Sequence, residues 1–118
     1  MSQAQIEQIE VSSEAARKQV ALGDALERLY ANQDFKLVIL EEFLREEAVR
    51  LVSFKANQQA QGAEQQAAVI KQLDAIGGLR QFFAKVFHFA DQADKALEDN
   101  VQAIAEIQAE EAEVAANV

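Results

Sequence analysis

The longest helical pattern in the chain covers residues 69–104, VIKQLDAIGGLRQFFAKVFHFADQADKALEDNVQAI. Apolar side chains recur there at intervals of three and four residues, the spacing of one face of an α-helix. They are Val69, Leu73, Ile76, Leu79, Phe83, Val86, Phe87, Ala90, Ala93, Leu97, Val101 and Ile104. The paired glycines Gly77 and Gly78 could end one helix and start another, but the pattern stays in phase across them. We therefore expect one helix over 63–107 that is continuous or kinked at 77–78.

Upstream of this helix the pattern restarts twice. The polar stretch Asn57 to Gly62 has no apolar stripe and ends in glycine, so it predicts a turn between two antiparallel helices. Asn32 is a suitable N-cap, since its side-chain oxygen can accept a backbone N–H of the next turn. A second helix is expected over 33–57, and its apolar residues wrap more than one narrow stripe. Such a helix packs against more than one neighbour.

The N-terminal segment predicts a further helix over 2–30, with Ile6, Ile9, Ala16 and Val20 at helical intervals. The stripe shifts at Gly23, which is either tolerated in the helix or marks a kink. The predicted fold is all-α, a long antiparallel helical hairpin or slender three-helix arrangement with an extended C-terminal helix. We expect a single domain over 1–118, with an acidic tail over 108–118.

Composition supports a helical protein and excludes several classes. The 118 residues include no proline, four glycines and no cysteine, which leaves few chain breakers and rules out disulfides or zinc–thiolate sites. The segment Met1 to Ser13 is polar and acidic, so we expect no secretory signal there. The longest uninterrupted apolar run, Leu37 to Leu40, is far shorter than the roughly 20 residues of a membrane span. We expect a soluble protein with no membrane contact.

Charge is concentrated near the C-terminus. The net charge is −9, and residues 91–118 contain eight acids and one base, whereas residues 31–90 contain seven of each. Nucleic-acid binding depends on Lys and Arg displacing counterions from phosphates. Direct nucleic-acid binding is therefore disfavoured, whereas a basic protein surface remains an acceptable partner.

No catalytic, metal or cofactor site is predicted. His88 is the only histidine and lies between Phe87 and Phe89, which favours a structural role beside the aromatics. The acidic pairs at 41–42 and 46–47 lack the Glu-x-x-His motif of di-iron bundles. They favour an exposed face with ion pairs of Glu41 with Arg45 and of Glu46 with Arg50. Glycine-rich phosphate-binding motifs are also missing, so we expect a protein that is not an enzyme.

Four phenylalanines fall within eight residues and cannot all face one core: Phe82, Phe83, Phe87 and Phe89. Phe83 and Phe87 are expected to pack inward with Phe35, Ile39, Phe43 and Leu79. The side chains predicted to contact other subunits are Phe82, Phe89, Val101, Ile104 and Ile107. A bulky internal core with adjacent loop coverage is the alternative for the aromatic cluster.

Four segments carry a resemblance to a known class of proteins. They are ALERL at 25–29, NQDF at 32–35, EEFLREEAVRLV at 41–52 and QQAAVIKQLDAIGGLRQFF at 65–83. Together they resemble small acidic helical proteins encoded among the head and packaging genes of tailed bacteriophages. In those proteins proline follows the capping asparagine, whereas Gln33 stands here and keeps the cap.

The resemblance implies a virion or head-assembly component, bound to the portal, the head-to-tail connector or the capsid interior in many symmetric copies. Its location would be the virion, and the host cytoplasm during assembly. Two alternatives stay open. One is a packaging factor such as a small terminase subunit, which requires a basic face for DNA. The other is an acidic adaptor or inhibitor that binds its partner through the C-terminal tail.

Overall fold

The computed structural model describes residues 2–117 and is helical almost throughout. We name three helices: α1 is Ser2–Ala31, α2 joins Gln33–Phe35, Lys36–Glu47 and Ala48–Ala56, and α3 is Ala63–Ala116, with a short 3₁₀ turn at Gln58–Ala60 before α3. Within residues 2–117 no β-strand occurs. The predicted all-α fold, with an antiparallel helical hairpin and an extended C-terminal helix, is confirmed.

Helix α2 begins at the predicted cap. Asn32 has an extended backbone, and its side-chain oxygen accepts a hydrogen bond of 2.9 Å from the backbone N–H of Phe35. Asp34 lies in the first turn, where a carboxylate interacts favourably with the positive end of the helix. One polar residue thus separates α1 from α2 and satisfies a backbone donor of the new helix.

Replacing this cap should destabilise the start of α2. We expect Asn32→Ala to lower the free energy of unfolding by about 1 kcal/mol, because the Phe35 N–H loses its acceptor. Asn32→Asp retains an acceptor at the same place and should change stability by less than about half as much. Urea denaturation followed by circular dichroism measures both variants. Equal losses for the two would show that the side-chain acceptor is not what stabilises this helix start.

The turn between α2 and α3 is held by side-chain amides. Asn57 caps the 3₁₀ turn by accepting a hydrogen bond of 2.9 Å from the backbone N–H of Gln59. The amide of Gln66 donates to the carbonyl oxygens of Lys55, at 3.1 Å, and of Ala60, at 2.7 Å. These bonds join the start of α3 to a carbonyl at the end of α2 and to another in the 3₁₀ turn. The predicted turn over 57–62 is confirmed.

The middle of α2, Lys36–Glu47, is a π-helix, which the sequence analysis did not predict. Its hydrogen bonds run between residues five apart, so each turn holds more residues than the 3.6 of an α-helix. Phe35, Ile39, Leu44 and Ala48 follow one another at intervals of four and five residues, and all four are buried or half-buried. In an α-helix they would spread around the axis. The wider turn brings them onto one face.

The chain divides into two compact units. Unit 1 contains residues 1–24 and 86–118, and unit 2 contains residues 25–85. Unit 2 comprises the last residues of α1, all of α2 and the first part of α3. Its buried apolar residues are Leu26, Leu44, Leu51, Ala60, Val69, Ile76 and Phe83. Of the six residues predicted for the hairpin core, Phe83 is buried and the other five are half-buried. On α2, the π-helix turns Leu44 inward instead.

Unit 1 pairs most of α1 with the last part of α3 across an interface of small side chains. Ser13, Ala16, Ala90 and Ala93 are all buried. The amide of Asn100 donates a hydrogen bond of 3.0 Å to the hydroxyl of Ser13. Gly23 is in contact with Ala90, so closely that a methyl group on Gly23 would overlap the Cβ of Ala90. Residue numbers fall on one helix as they rise on the other, so the two helices are antiparallel.

Helix α3 passes through both sequence features that could have ended it. Gly77 and Gly78 lie within regular α-helix and neither has a positive φ. The helix also continues through the predicted acidic tail as far as Ala116, and residues 108–117 are exposed. Alanine and glutamate dominate this stretch, and both favour helix without any packing partner. Val118, the last residue of the predicted tail, lies outside the described residues.

Candidate interaction surface

An open groove with a volume of about 430 Å³ lies between α2 and α3 in unit 2. Helix α3 contributes Gln72, Ala75 and Ile76, and α2 contributes Val38, Ile39, Glu42, Phe43, Glu47, Arg50 and Leu51. Six of these ten residues are apolar. We call this feature the α2–α3 groove. Val38 is 57% exposed, so the apolar lining extends from the buried core out to solvent.

Charged side chains form the rim of the groove on the α2 side. The guanidinium of Arg50 contacts the carboxylate of Glu47 at 2.9 Å and that of Glu42 at 3.4 Å. The hydrogen bond to Glu47 is the main cause that raises the pKa of Arg50. All three groups are solvent-exposed, so these ion pairs orient the rim and add little stability. Arg45 pairs with Glu46 at 3.4 Å, so both arginines have partners other than the predicted ones.

The π-helix also receives a contact from α3. The guanidinium of Arg80 donates a short hydrogen bond to the backbone carbonyl of Leu44. Leu44 is the fully buried residue of the π-helical segment. A cation from the facing helix thus binds the backbone at the point where α2 departs from α-helical geometry. In the sequence alone, Arg80 is one of several scattered bases and carries no signal of this contact.

Three aromatic rings meet in unit 2 where α2 begins. The ring of Phe83 lies 5.9 Å, between centroids, from both Tyr30 and Phe35. Phe83 is 8% exposed, whereas its neighbour Phe82 is 55% exposed, with its ring centroid 6.2 Å from that of Phe83. The expected inward direction of Phe83 and outward direction of Phe82 is therefore observed. The role of Phe82 as an intermolecular contact stays a prediction.

The other predicted contact residues lie in unit 1. Phe89 is 44% exposed and Val101 is 69% exposed. Ile104 and Ile107 are half-buried, and Ile107 lines a shallow groove together with Ile9 of α1. Phe89 and Val101 thus remain open to another molecule, whereas Ile107 already contributes to packing within the unit. Of the five predicted contact residues, Phe82 belongs to unit 2 and the other four to unit 1.

Candidates for catalytic or metal chemistry are His88 and the acidic side chains. His88 is exposed, with its ring 5.8 Å from that of Phe89. Residues 2–117 contain no group of three or more His, Cys, Asp or Glu side chains that could hold a metal ion. Within the same range, no buried side-chain nitrogen or oxygen lacks a hydrogen-bond partner.

Charge divides sharply between the two units. Unit 1 contains twelve acidic and three basic residues, a net charge of −9, and unit 2 contains eight of each. Unit 2 is nevertheless where most exposed large apolar side chains lie. They are Leu29, Leu37, Val38, Val49, Val52, Phe54, Ile70 and Phe82. Large exposed apolar surfaces are typical of protein contacts.

The sequence did not predict the α2–α3 groove. Ile39 and Phe43, which line it, were predicted as core residues, and Val38 and Ala75 were not singled out. The signal was the excess of apolar residues on α2, which predicted more than one neighbour. The excess did not indicate which face of α2 lines the groove, because Lys36–Glu47 does not have the α-helical period that was assumed.

Within residues 2–117, no helix combines the length and hydropathy that crossing a membrane requires. Comparison of the chain with protein-family models, with curated proteins and with solved structures gives no match in any of the three.

Proposed function

We propose that this protein is a non-enzymatic assembly subunit of a tailed bacteriophage, which packs its helices against the portal, the head-to-tail connector or the capsid interior. The observation that carries the proposal is the exposure of large apolar side chains on unit 2, five of them on α2 alone. Helices with apolar surface beyond one partner complete their burial against other elements. In this protein, another subunit is the element that supplies that cover.

The magnitude of this exposure supports an assembly role. Full burial of a Val, Leu or Phe side chain contributes about 1.5–3 kcal/mol. The eight exposed apolar side chains of unit 2 are between 44% and 57% exposed, so covering each contributes about 1 kcal/mol. Their sum, about 8 kcal/mol, lies within the range that association costs in lost freedom of motion. Covering these side chains can therefore offset the cost of association, and the other contacts with the partner supply the net affinity.

The assignment to a phage rests on the resemblance over residues 25–83, which coincides closely with unit 2. The segments that carry it include the cap at Asn32 and residues 41–47 of the π-helix. In the proposed role, unit 2 provides apolar contacts to the particle. The strongly acidic unit 1 opposes non-specific binding to packaged DNA, because like charges repel.

The test is the presence of the chain in particles of the phage that encodes it. We expect quantitative mass spectrometry of purified particles to give a fixed ratio of this chain to the portal protein. Mature particles and empty precursor heads should be measured separately, since a transient scaffold would occur only in the precursors. Particles from a phage with the gene deleted provide the control.

Two results would overturn the proposal. One is abundant chain in the lysate with none in mature particles or precursor heads. The other is a salt-sensitive shift of duplex DNA by the purified chain, which would favour a terminase-like packaging factor.

A further inference from the structure

The α2–α3 groove presents two antiparallel helices with an apolar floor open to solvent. Val38 and Ile39 from α2 and Ala75 and Ile76 from α3 line it. Two helices with such a shared face form a complete bundle core when a second pair covers it. We propose that this groove is the docking site for a second copy of the chain, with unit 2 of each copy meeting about a two-fold axis.

The distribution of charge decides through which unit two copies of the chain can meet. Unit 1 has a net charge of −9, so a contact between the first units of two copies would be strongly repulsive. Unit 2 has eight acids and eight bases and carries no net charge to oppose self-contact. Copies of the chain therefore meet through unit 2.

The groove rim is compatible with a two-fold contact. In such a contact the same surface meets itself, so it must contain complementary groups. This rim contains Glu42, Glu47 and Arg50, which are all exposed and carry both signs of charge. The Arg50 guanidinium of each copy can exchange one of its own carboxylates for one of the other copy. Each arginine at the rim then keeps carboxylate partners when the two copies meet.

The docking face extends along α3 beyond the groove. Phe82 follows Ala75 by seven residues, which is two helical turns, so it lies on the same side of the helix. Its ring is 55% exposed. Aromatic side chains at such positions contribute strongly to interfaces, so Phe82 is the anchor of the proposed contact. This assigns a self-association role to one of the residues that the sequence suggested as an interface.

Light scattering of the full chain, over about a hundredfold range of protein concentration, tests the inference. We expect the mass to rise to twice 13.0 kDa with increasing concentration. Val38→Asp should weaken this association by about tenfold or more, because it places a carboxylate in the apolar contact. Val49→Asp is the matched control: Val49 is also 57% exposed and on α2, but does not line the groove.

A second pair of variants avoids the π-helix. Ala75→Glu lies in the α-helical wall of the groove, and Ala84→Glu lies on the opposite side of the same helix. Ala75→Glu should weaken association by about tenfold or more, whereas Ala84→Glu should leave it unchanged. Circular dichroism confirms that each variant is folded.

Raising the NaCl concentration from about 0.05 M to about 0.5 M should tighten the dimer, because salt screens repulsion between the acidic units.

A monomer at every concentration and salt level overturns the inference, as does equal weakening by the groove and control variants. A Val101→Asp variant that dissociates the dimer would move the contact to unit 1 and overturn it too. The inference rests on the proposed function because both treat the exposed face as an assembly surface. The dimer and the phage role can nevertheless be refuted independently. A monomer found in phage particles refutes only the dimer, and a groove-dependent dimer absent from particles refutes only the phage role.

Discussion

Phe83→Ala should lower the free energy of unfolding of unit 2 by about 3–5 kcal/mol. Phe83 is 8% exposed, and its ring packs against Tyr30 and Phe35, each at 5.9 Å between centroids. Its truncation removes the ring that joins the end of α1, the start of α2 and the middle of α3. The cavity cannot close easily, since the neighbouring rings come from separate helices.

Phe82→Ala is the control for this prediction. Phe82 precedes Phe83 on the same helix but is 55% exposed, so the same truncation should cost less than about 1 kcal/mol. Tyr30 is the only tyrosine, and the chain has no tryptophan, so intrinsic fluorescence reports on unit 2 during urea denaturation. Urea denaturation should be measured at a protein concentration at which light scattering shows a monomer. Similar losses for both variants would contradict the packing of the aromatic cluster.

Gly23→Leu should destabilise unit 1 by about 2 kcal/mol or more. Even a methyl group at Gly23 would overlap the Cβ of Ala90, and a leucine side chain requires α1 and α3 to separate. Overpacking of this kind costs about 1–3 kcal/mol, and the lost contacts among the small side chains add to it. The gain in helix propensity over glycine, about 1 kcal/mol, offsets only part of this cost.

The controls for Gly23 are available in the same chain. A Cβ at Gly78 would meet no neighbouring side chain or facing helix within 4 Å, so Gly78→Leu should stabilise α3 by about 0.5–1 kcal/mol. The double variant Gly23→Ala/Ala90→Gly exchanges the two partners and should recover most of the loss caused by Gly23→Ala alone. Circular dichroism during thermal unfolding measures these variants and the single variant Ala90→Gly, which completes the double-mutant cycle. Additive losses in the double variant would show that Gly23 and Ala90 are not in contact.

The fold class followed from local chemistry in the sequence. The lack of proline and the intervals of three and four residues in 69–104 predicted α3. The amide of Asn32 and the polar run 57–62 predicted the start of α2 and the turn that follows it. These features act within a few residues of the chain, since a cap or a turn forms hydrogen bonds with its own neighbours.

The candidate surface could be predicted only in part. Exposure of Phe82, Phe89 and Val101 was expected from their number and position, and the structure shows it. The α2–α3 groove was missed because its position depends on which turn of α2 faces α3. The period of a regular α-helix predicted Phe43 as a core residue, whereas Leu44 is the residue that is buried in the core. One residue of difference rotates every later side chain about the helix axis.

Residue types along the chain were enough to establish that it is helical, where its helices begin and where its charge is concentrated. Each of these properties depends on side-chain chemistry and on hydrogen bonds between near neighbours. The π-helical middle of α2, the burial of Leu44 and the contact of Gly23 with Ala90 became visible only in the folded chain. These features depend on contacts between residues far apart in the chain, where close packing selects the backbone geometry that fills the available space.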